Sequence, residues 1–333
     1  MAPAYRAVML TKKGGPEVLQ VVELPVEPPG PGQLRVRVRA AGVGSTDLAM
    51  LAGGYLYAPK IPFVPGYEAA GVVDAIGSGV TGFEIGQHVA ALTVHGSFAE
   101  YLVREAGLFV PIPAGVSDRD AAAVILNFVT AWQMIHRVAK VRAGQTALVT
   151  GAAGGVGTAA LQLLRLADVK TYGAASAQKH ATVRSLGATP LDYRAGSIDR
   201  LARGLEPAGV DYVFDAVGGT NIGPCIGALK RGGTLVGFGF MGAAGSLSKL
   251  LMFANLLAGA RLRGRRGKFY GITALYRKDP KPLHEDLPKI FALLAGKKID
   301  PMINRSFALL DARRALEFLA AGSVEGKIVL ENT

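Results

Sequence analysis

The chain has 333 residues, half of them apolar, and carries 37 Lys and Arg against 25 Asp and Glu, a formal charge of +12. That length suits two domains with packed cores, and no apolar run reaches the ~18 residues of a membrane-spanning helix. The opening Met1-Ala2-Pro3-Ala4-Tyr5-Arg6 lacks the charged-then-apolar plan of a signal peptide, and the single cysteine, Cys225, excludes an internal disulfide and a multi-cysteine zinc site. A cytoplasmic protein with no membrane partner is expected.

In chain order, the first part reads as short strands between dense turns. Gln33 to Ala40 alternates arginine with valine, the period of a half-buried strand, and Ala69 to Gly77 and Gln87 to Leu92 read as further strands. Asp47 is expected to cap a helix starting at Leu48, and Glu68 to order backbone amides in its glycine turn. From Asp118 the texture changes. A helix with carboxylates in its first turn runs through Lys140, and strands then alternate with helices: Thr146 to Thr150, a helix from Thr158, Val169 to Ala174, a helix over Ala177 to Leu186, Val210 to Ala216 and Thr234 to Phe240. That succession predicts a doubly wound parallel sheet. Beyond Gly271 come helices over Leu283 to Leu294 and Leu310 to Ala320, with strands at Ile303 to Phe307 and Lys327 to Leu330. The expected division is an α/β protein with a β-rich domain from residues 1–124 and 271–333 and a nucleotide-binding domain from 125–270.

The stretch from Ala147 to Thr158 carries the chemistry. An apolar strand runs into Ala152-Ala153-Gly154-Gly155-Val156-Gly157 and a helix follows at once, the plan of a dinucleotide fingerprint with alanine in the first glycine's place. Small residues let backbone approach a pyrophosphate, and the helix N-terminus offers unpaired N–H groups and positive dipole. A fold specific for the unphosphorylated cofactor carries an acid about 20 residues on. Here Tyr172 to Lys179 holds no acid and offers Ser176 and Lys179 instead, which suits a 2′-phosphate, so NADPH is the expected cofactor; a solvated first-turn lysine is the alternative for Lys179.

Part of the charge sits in one block, Arg261, Arg263, Arg265, Arg266 and Lys268. Its alternation reads as a strand with one wet face, and without a recognised binding module a nucleic-acid partner is not expected.

The chain resembles the medium-chain dehydrogenase/reductase superfamily, and within it the zinc-free quinone oxidoreductase (zeta-crystallin-like) group. The resemblance spans essentially the whole length. It is carried by Lys13-Gly14-Gly15-Pro16-Glu17-Val18-Leu19, Pro31-Gly32-Gln33, Pro65 to Val73, Ala152 to Gly157, Asp192-Tyr193-Arg194 and Gly326-Lys327-Ile328-Val329-Leu330. It implies a GroES-like β-rich catalytic domain beside a Rossmann domain, and a homodimer formed through a strand like Ala260 to Gly264. It places Ser176, Lys179 and Tyr193 at the 2′-phosphate, Thr130 near the nicotinamide, and Val217, Phe238, Gly239 and Phe240 along the cofactor. Lys327 falls close to the cofactor cleft, although a turn lysine would look the same.

The superfamily's zinc enzymes hold their metal with a Cys-His-Cys set, and the matching positions here are Gly44, Tyr67 and, less firmly aligned, Leu126. The histidines His88, His95, His136, His180 and His284 are scattered, so a metal-free protein is expected. Without a Lewis acid to hold an alkoxide, the favoured acceptors spread the incoming charge themselves, as quinones and α,β-unsaturated carbonyls do. Tyr55 and Tyr67 are the candidate proton or oxyanion donors, with cleft wall as the alternative for each. Ser45, in the same loop, has no clear relay role beside Gly44. The competing readings are an enoyl-thioester reductase and, from another class, a non-enzymatic cofactor-binding protein with an RNA- or membrane-associated role.

Overall fold

The computed structural model describes residues 3–239 and 245–332; Phe240 lies outside the described residues. The chain divides into two compact units, Met1–Val129 with Leu275–Thr333, and Thr130–Ala274.

The first unit is built on a seven-stranded sheet. Its order is Ile303–Ala308, Lys327–Glu331, Gln33–Val43, Glu68–Ile76, His88–Leu92 and Phe109–Pro111, with Tyr101–Glu105 also paired to Gln33–Val43. The long strand Gln33–Val43 is central because alternation buries Leu34, Val36 and Val38 while Arg35 and Arg37 stay accessible. Its last residues pair on one side with Glu68–Ile76 and on the other with Lys327–Glu331, so Val43, Glu68 and Lys327 start or end three adjacent strands. That convergence positions the site. Helix Asp118–Trp132 begins at Ser117, whose hydroxyl oxygen accepts the Asp120 N–H at 3.1 Å.

The second unit is a six-stranded, wholly parallel sheet ordered Thr189–Asp192, Lys170–Ala175, Thr146–Thr150, Val210–Asp215, Leu229–Gly237 and Arg266–Phe269. Numbered along the chain this is 3-2-1-4-5-6, the Rossmann order, with its switch point between the first and fourth strands. Leu148, Val213, Ile226, Leu229, Leu235 and Leu256 are fully buried in its core, consistent with a sheet covered on both faces.

Two local expectations are corrected. Ala260 to Gly264 is not a strand: Ala260–Leu262 is a helical turn, Gly264 is left-handed, and the edge strand is Arg266–Phe269. Alternation of arginine with leucine satisfied the two-residue period, but Ala260 continues the helical run before it and is completely buried in the core of its unit. The helix expected at Leu48 instead spans Ser45–Leu51, so Asp47 lies in its third position and caps it from inside, accepting the Gly44 N–H at 2.9 Å.

Candidate functional site

In the second unit the glycine turn sits at the C-terminal end of the first strand. Gly151 is left-handed (φ +62°), the Gly154 N–H donates to the Gly151 carbonyl at 2.9 Å, and Gly154 precedes helix Gly155–Leu166 as its N-cap. A Cβ on Gly157 would collide with the carbonyl oxygens of Gly151 and Ala152, so that glycine is required for the helix to start this close to the strand. Ala152, in the place of the first fingerprint glycine, is fully buried; a Cβ on Gly173 of the next strand would lie 3.0 Å from its methyl. The missing glycine is thus compensated by one across the sheet. Ala153 is buried, while Gly154, Gly155 and Val156 are partly accessible. Their small side chains and the free N–H groups of the first helical turn fit a pyrophosphate.

Across the switch point, Asp215 ends the fourth strand fully buried. It accepts the Thr150 hydroxyl at 2.6 Å, the Gly218 N–H at 2.8 Å and the Asn221 amide at 2.7 Å. Thr150 in turn accepts the Ala216 N–H at 3.0 Å. These bonds fasten the loop holding Val217 to the strand that feeds the glycine turn. The next loop docks against it: the Phe238 N–H donates to the Asp215 carbonyl at 2.9 Å, and a Cβ on Gly239 would strike the Ala216 carbonyl. Val217, Phe238 and Gly239 therefore flank the switch point, where such sheets bind their ligands. Thr130 is buried at the first position of this unit.

The second and third strands bring the expected 2′-phosphate residues to one edge. Ala175 pairs in register with Asp192, so Ser176 and Tyr193 leave neighbouring strand ends. Ser176 is buried at the start of the short helix Ala177–Lys179, and its carbonyl accepts the Lys179 N–H at 2.8 Å. Tyr193 is exposed, with the Arg194 guanidinium 5.9 Å from its ring centre. Arg194 adds a second cation here that the reading of Tyr193 alone passed over.

In the first unit, Tyr55 and Tyr67 share a hydroxyl–hydroxyl hydrogen bond of 2.7 Å, their rings edge to face at 6.0 Å. Tyr67 is buried and held by its own backbone, its carbonyl accepting the Thr93 and Val94 N–H groups. Gly66 before it is left-handed (φ +101°), and a Cβ there would meet Phe98 at 2.6 Å. Tyr55 is partly exposed on the loop after helix Ser45–Leu51 and packs edge to face on Tyr57 at 5.7 Å.

Beside them lies a buried ionic cluster. Glu68 is completely buried, pairs with Lys327 and accepts the Leu126 N–H. A Cβ on Gly42 would displace both members of the pair, lying 2.7 Å from the Lys327 stem. Lys327 is itself buried, so its nearest defined partner is this carboxylate. Burial pushes the Asp47 carboxyl up to about 7, against the lowering effect of the Gly44 N–H and of Lys327. Its Oδ1 has no hydrogen-bond partner. A Cβ on Gly44 would lie 3.9 Å from both Leu126 and the Lys327 ammonium. Gly44, Leu126 and Tyr67 offer no metal donor set, and among the described residues no three His, Cys, Asp or Glu side chains gather as a metal site. The histidines are engaged apart from one another: His88 with Asp118 at 2.8 Å, His95 with Arg104, His136 on the Trp132 ring at 4.2 Å, His180 at the Ala175 carbonyl, and His284 with its Nε2 buried.

The fold and sites define a two-domain α/β protein with a dinucleotide-binding unit and a β-rich unit holding a tyrosine pair. The family model described as "Alcohol dehydrogenase GroES-like domain" matches residues 30–114, and that described as "Zinc-binding dehydrogenase" matches residues 186–330. The chain is 30% identical to the human "Synaptic vesicle membrane protein VAT-1 homolog-like" over 99% of its own length and 81% of that protein's. A crystal structure of the human protein so named gives a TM-score of 0.86 at 29% identity, covering 98% of each chain. It is 31% identical to a "Quinone oxidoreductase-like protein 2 homolog" of Nematostella vectensis, covering 98% of this chain and 89% of that one. The mycobacterial protein Rv1454c complexed with NADPH matches with a TM-score of 0.84 at 28% identity, over 98% of this chain and 99% of the other. The chain belongs to the medium-chain dehydrogenase/reductase superfamily, in its zinc-free quinone oxidoreductase group, and is an oxidoreductase of that kind with a GroES-like and a Rossmann domain. Among the described residues no helix is long and apolar enough to cross a membrane.

Proposed function

We propose that this protein is a zinc-independent, NADPH-dependent reductase of quinones or of the activated C=C bond of α,β-unsaturated carbonyls. The observation that carries the reading is the Tyr55–Tyr67 hydroxyl pair, because Tyr67 stands at a position that matches a zinc ligand of the superfamily's zinc enzymes and its hydroxyl is bonded to that of Tyr55. When bound, the nicotinamide supplies the hydride. The first helical turn at Gly155 to Gly157 binds the pyrophosphate, and Ser176, Lys179, Tyr193 and Arg194 hold the 2′-phosphate. The acceptor's carbonyl oxygen takes a hydrogen bond from the Tyr55 hydroxyl, and Tyr67, bonded to that hydroxyl, orients it and shares the proton. Charge developing on the oxygen is thereby met by preplaced donors rather than by a metal. Lys327, paired with Glu68, anchors the strand ends that carry Tyr67.

We further propose a homodimer that uses the outer edge of Arg266–Phe269, the last strand in its sheet, with the exposed Leu257 and Leu262 of the preceding helical segment. A nucleic-acid role for the basic block is disfavoured. Arg265, Arg266 and Lys268 donate to the carbonyls of Leu229, Gly232 and Val138 at 2.7 to 3.0 Å, so most of the block is tied into the fold.

The test is oxidation of NADPH and of NADH against 1,4-benzoquinone, 9,10-phenanthrenequinone, crotonaldehyde, 2-cyclohexenone and an enoyl-CoA, with metal analysis of the same preparation. NADPH oxidation by a quinone or enone without zinc is expected. Turnover confined to the thioester, or stoichiometric zinc, overturns the proposal.

A further inference from the structure

Among the described residues, three cations of the first unit, Arg277, Arg104 and Lys13, form no ion pair. Arg277, on helix Ile272–Lys278, places its guanidinium 5.2 Å above the ring centre of Tyr57, which packs on Tyr55. Such stacking holds a guanidinium in place while leaving its N–H edge free to bind. Among the described residues Arg277 forms no ion pair; the nearby Asp279 accepts the Lys281 N–H at 3.0 Å in the turn before the next helix. Arg104 is half-buried and meets only neutral acceptors, the Val103 carbonyl at 2.8 Å and the carbonyl and ring of His95 at 3.1 and 3.4 Å. A Cβ on left-handed Gly53 would lie 2.6 Å from the Lys13 stem, so a third cation borders the same loop. The carboxylates beside the tyrosine pair, Asp47 and Glu68, are completely buried and held by backbone N–H groups or Lys327.

The His95 ring reports this surplus. Burial, together with Arg104 and Arg277, lowers its pKa to about 4, so it stays neutral and adds no charge of its own. Buried or partly buried charges normally find partners, and clustered cations concentrate anions.

We propose that the acceptor reduced at the Tyr55–Tyr67 pair carries a carboxylate or phosphate group, bound by Arg277 about one aromatic ring beyond the reacting carbonyl. The substrate class is thus an acidic quinone or enone, and the assignment rests on the reductase reading above. Arg277 binds the oxyanion directly; Arg104 and Lys13 add long-range attraction.

The experiment pairs a redox-active and a redox-inert comparison. Wild type, Arg277→Ala and Arg277→Lys are assayed with NADPH against 1,4-naphthoquinone and 1,4-naphthoquinone-2-sulfonate, with Lys278→Ala as a control for general charge loss on the same helix. Independently, calorimetry measures binding of 2-naphthalenesulfonate and 2-naphthol. Arg277→Ala is expected to raise KM for the sulfonated quinone about tenfold more than for the neutral one, with the arginine-to-lysine change intermediate and Lys278→Ala without effect on the ratio. Naphthalenesulfonate binding should weaken by the same factor and fall with salt. Equal effects on charged and neutral compounds, in turnover or in calorimetry, overturn the proposal. Failure of wild type to reduce either quinone removes the reductase reading alone, because the calorimetric comparison still decides whether Arg277 selects an oxyanion.

Discussion

Asp47 gives the protein a stability that depends on pH in an unusual direction. Most carboxylates that matter to folding are held below their ordinary range, so acid weakens the fold. Asp47 is fully buried, with one oxygen bonded to the Gly44 N–H and the other without a partner, and its pKa is pushed from 3.8 to about 7. The folded form therefore keeps a proton that the unfolded chain releases. Stability from this site is fully present below about pH 4 and is lost as pH rises through about 7. Each decade of pKa difference is worth 1.36 kcal/mol, so the loss at pH 8 is on the order of 4 kcal/mol. Asp47→Asn keeps an oxygen for the Gly44 N–H and removes the titration. Urea unfolding of both proteins at pH 5, 6, 7 and 8 should show the wild type losing ground to the variant as pH rises, with roughly nine-tenths of the change across that range falling between pH 5 and 7. A stability difference that is flat across this range would refute the argument, since it would mean that Asp47 titrates alike in the folded and unfolded chain.

Lys179→Ala should weaken NADPH binding ten- to a hundredfold and NADH binding hardly at all, by fluorescence titration of each nucleotide; equal weakening would remove Lys179 from the 2′-phosphate site. Gly157→Ala drives a methyl into the Gly151 and Ala152 carbonyls, so it should abolish nucleotide binding and cost at least about 1–3 kcal/mol in urea unfolding; normal affinity would mean the turn relaxes freely. Lys327→Met leaves Glu68 buried and unpaired, a change expected to destabilise by about 3–5 kcal/mol, whereas the paired substitution with Glu68→Gln should recover part of it. Tyr55→Phe and Tyr67→Phe should each lower kcat on the acceptor by about ten- to a hundredfold, and the double variant should do little worse than the single ones, because the two hydroxyls act through one hydrogen bond.

The parallel sheet and its dinucleotide turn were legible in the sequence because they depend on near neighbours. The apolar run Ala147 to Thr150, the small residues Ala152 to Gly157 and the helix after them form one continuous stretch, and local periodicity is enough to read it. Ser176 and Lys179 could be placed in the same way, from their distance along the chain to that turn. What period alone misjudged was Arg261 to Gly264, where alternation promised a strand and burial of Ala260 imposed a helical turn. A short segment satisfies two periods at once, and only the surface it packs against chooses between them.

Contacts between distant segments were settled only by the tertiary structure. Asp215 ends an apolar strand and could be read as its polar terminus, but its hold on Thr150, 65 residues earlier, exists only because the first and fourth strands are neighbours. Arg277 lies on a helix with no local reason to meet Tyr57, and Lys327 is 259 residues from Glu68 in the buried pair. The sequence by itself determined that this chain carries a dinucleotide-binding turn, which follows from residue identity at short spacing, and that Gly44, Tyr67 and Leu126 stand at the positions its family resemblance matches to zinc ligands. Tertiary structure alone decided that the two tyrosine hydroxyls are hydrogen-bonded, that Asp47 is stranded beside a buried ion pair, and that the Arg277 guanidinium lies over Tyr57. Those properties depend on desolvation and distance, which arise only when remote strands are brought side by side.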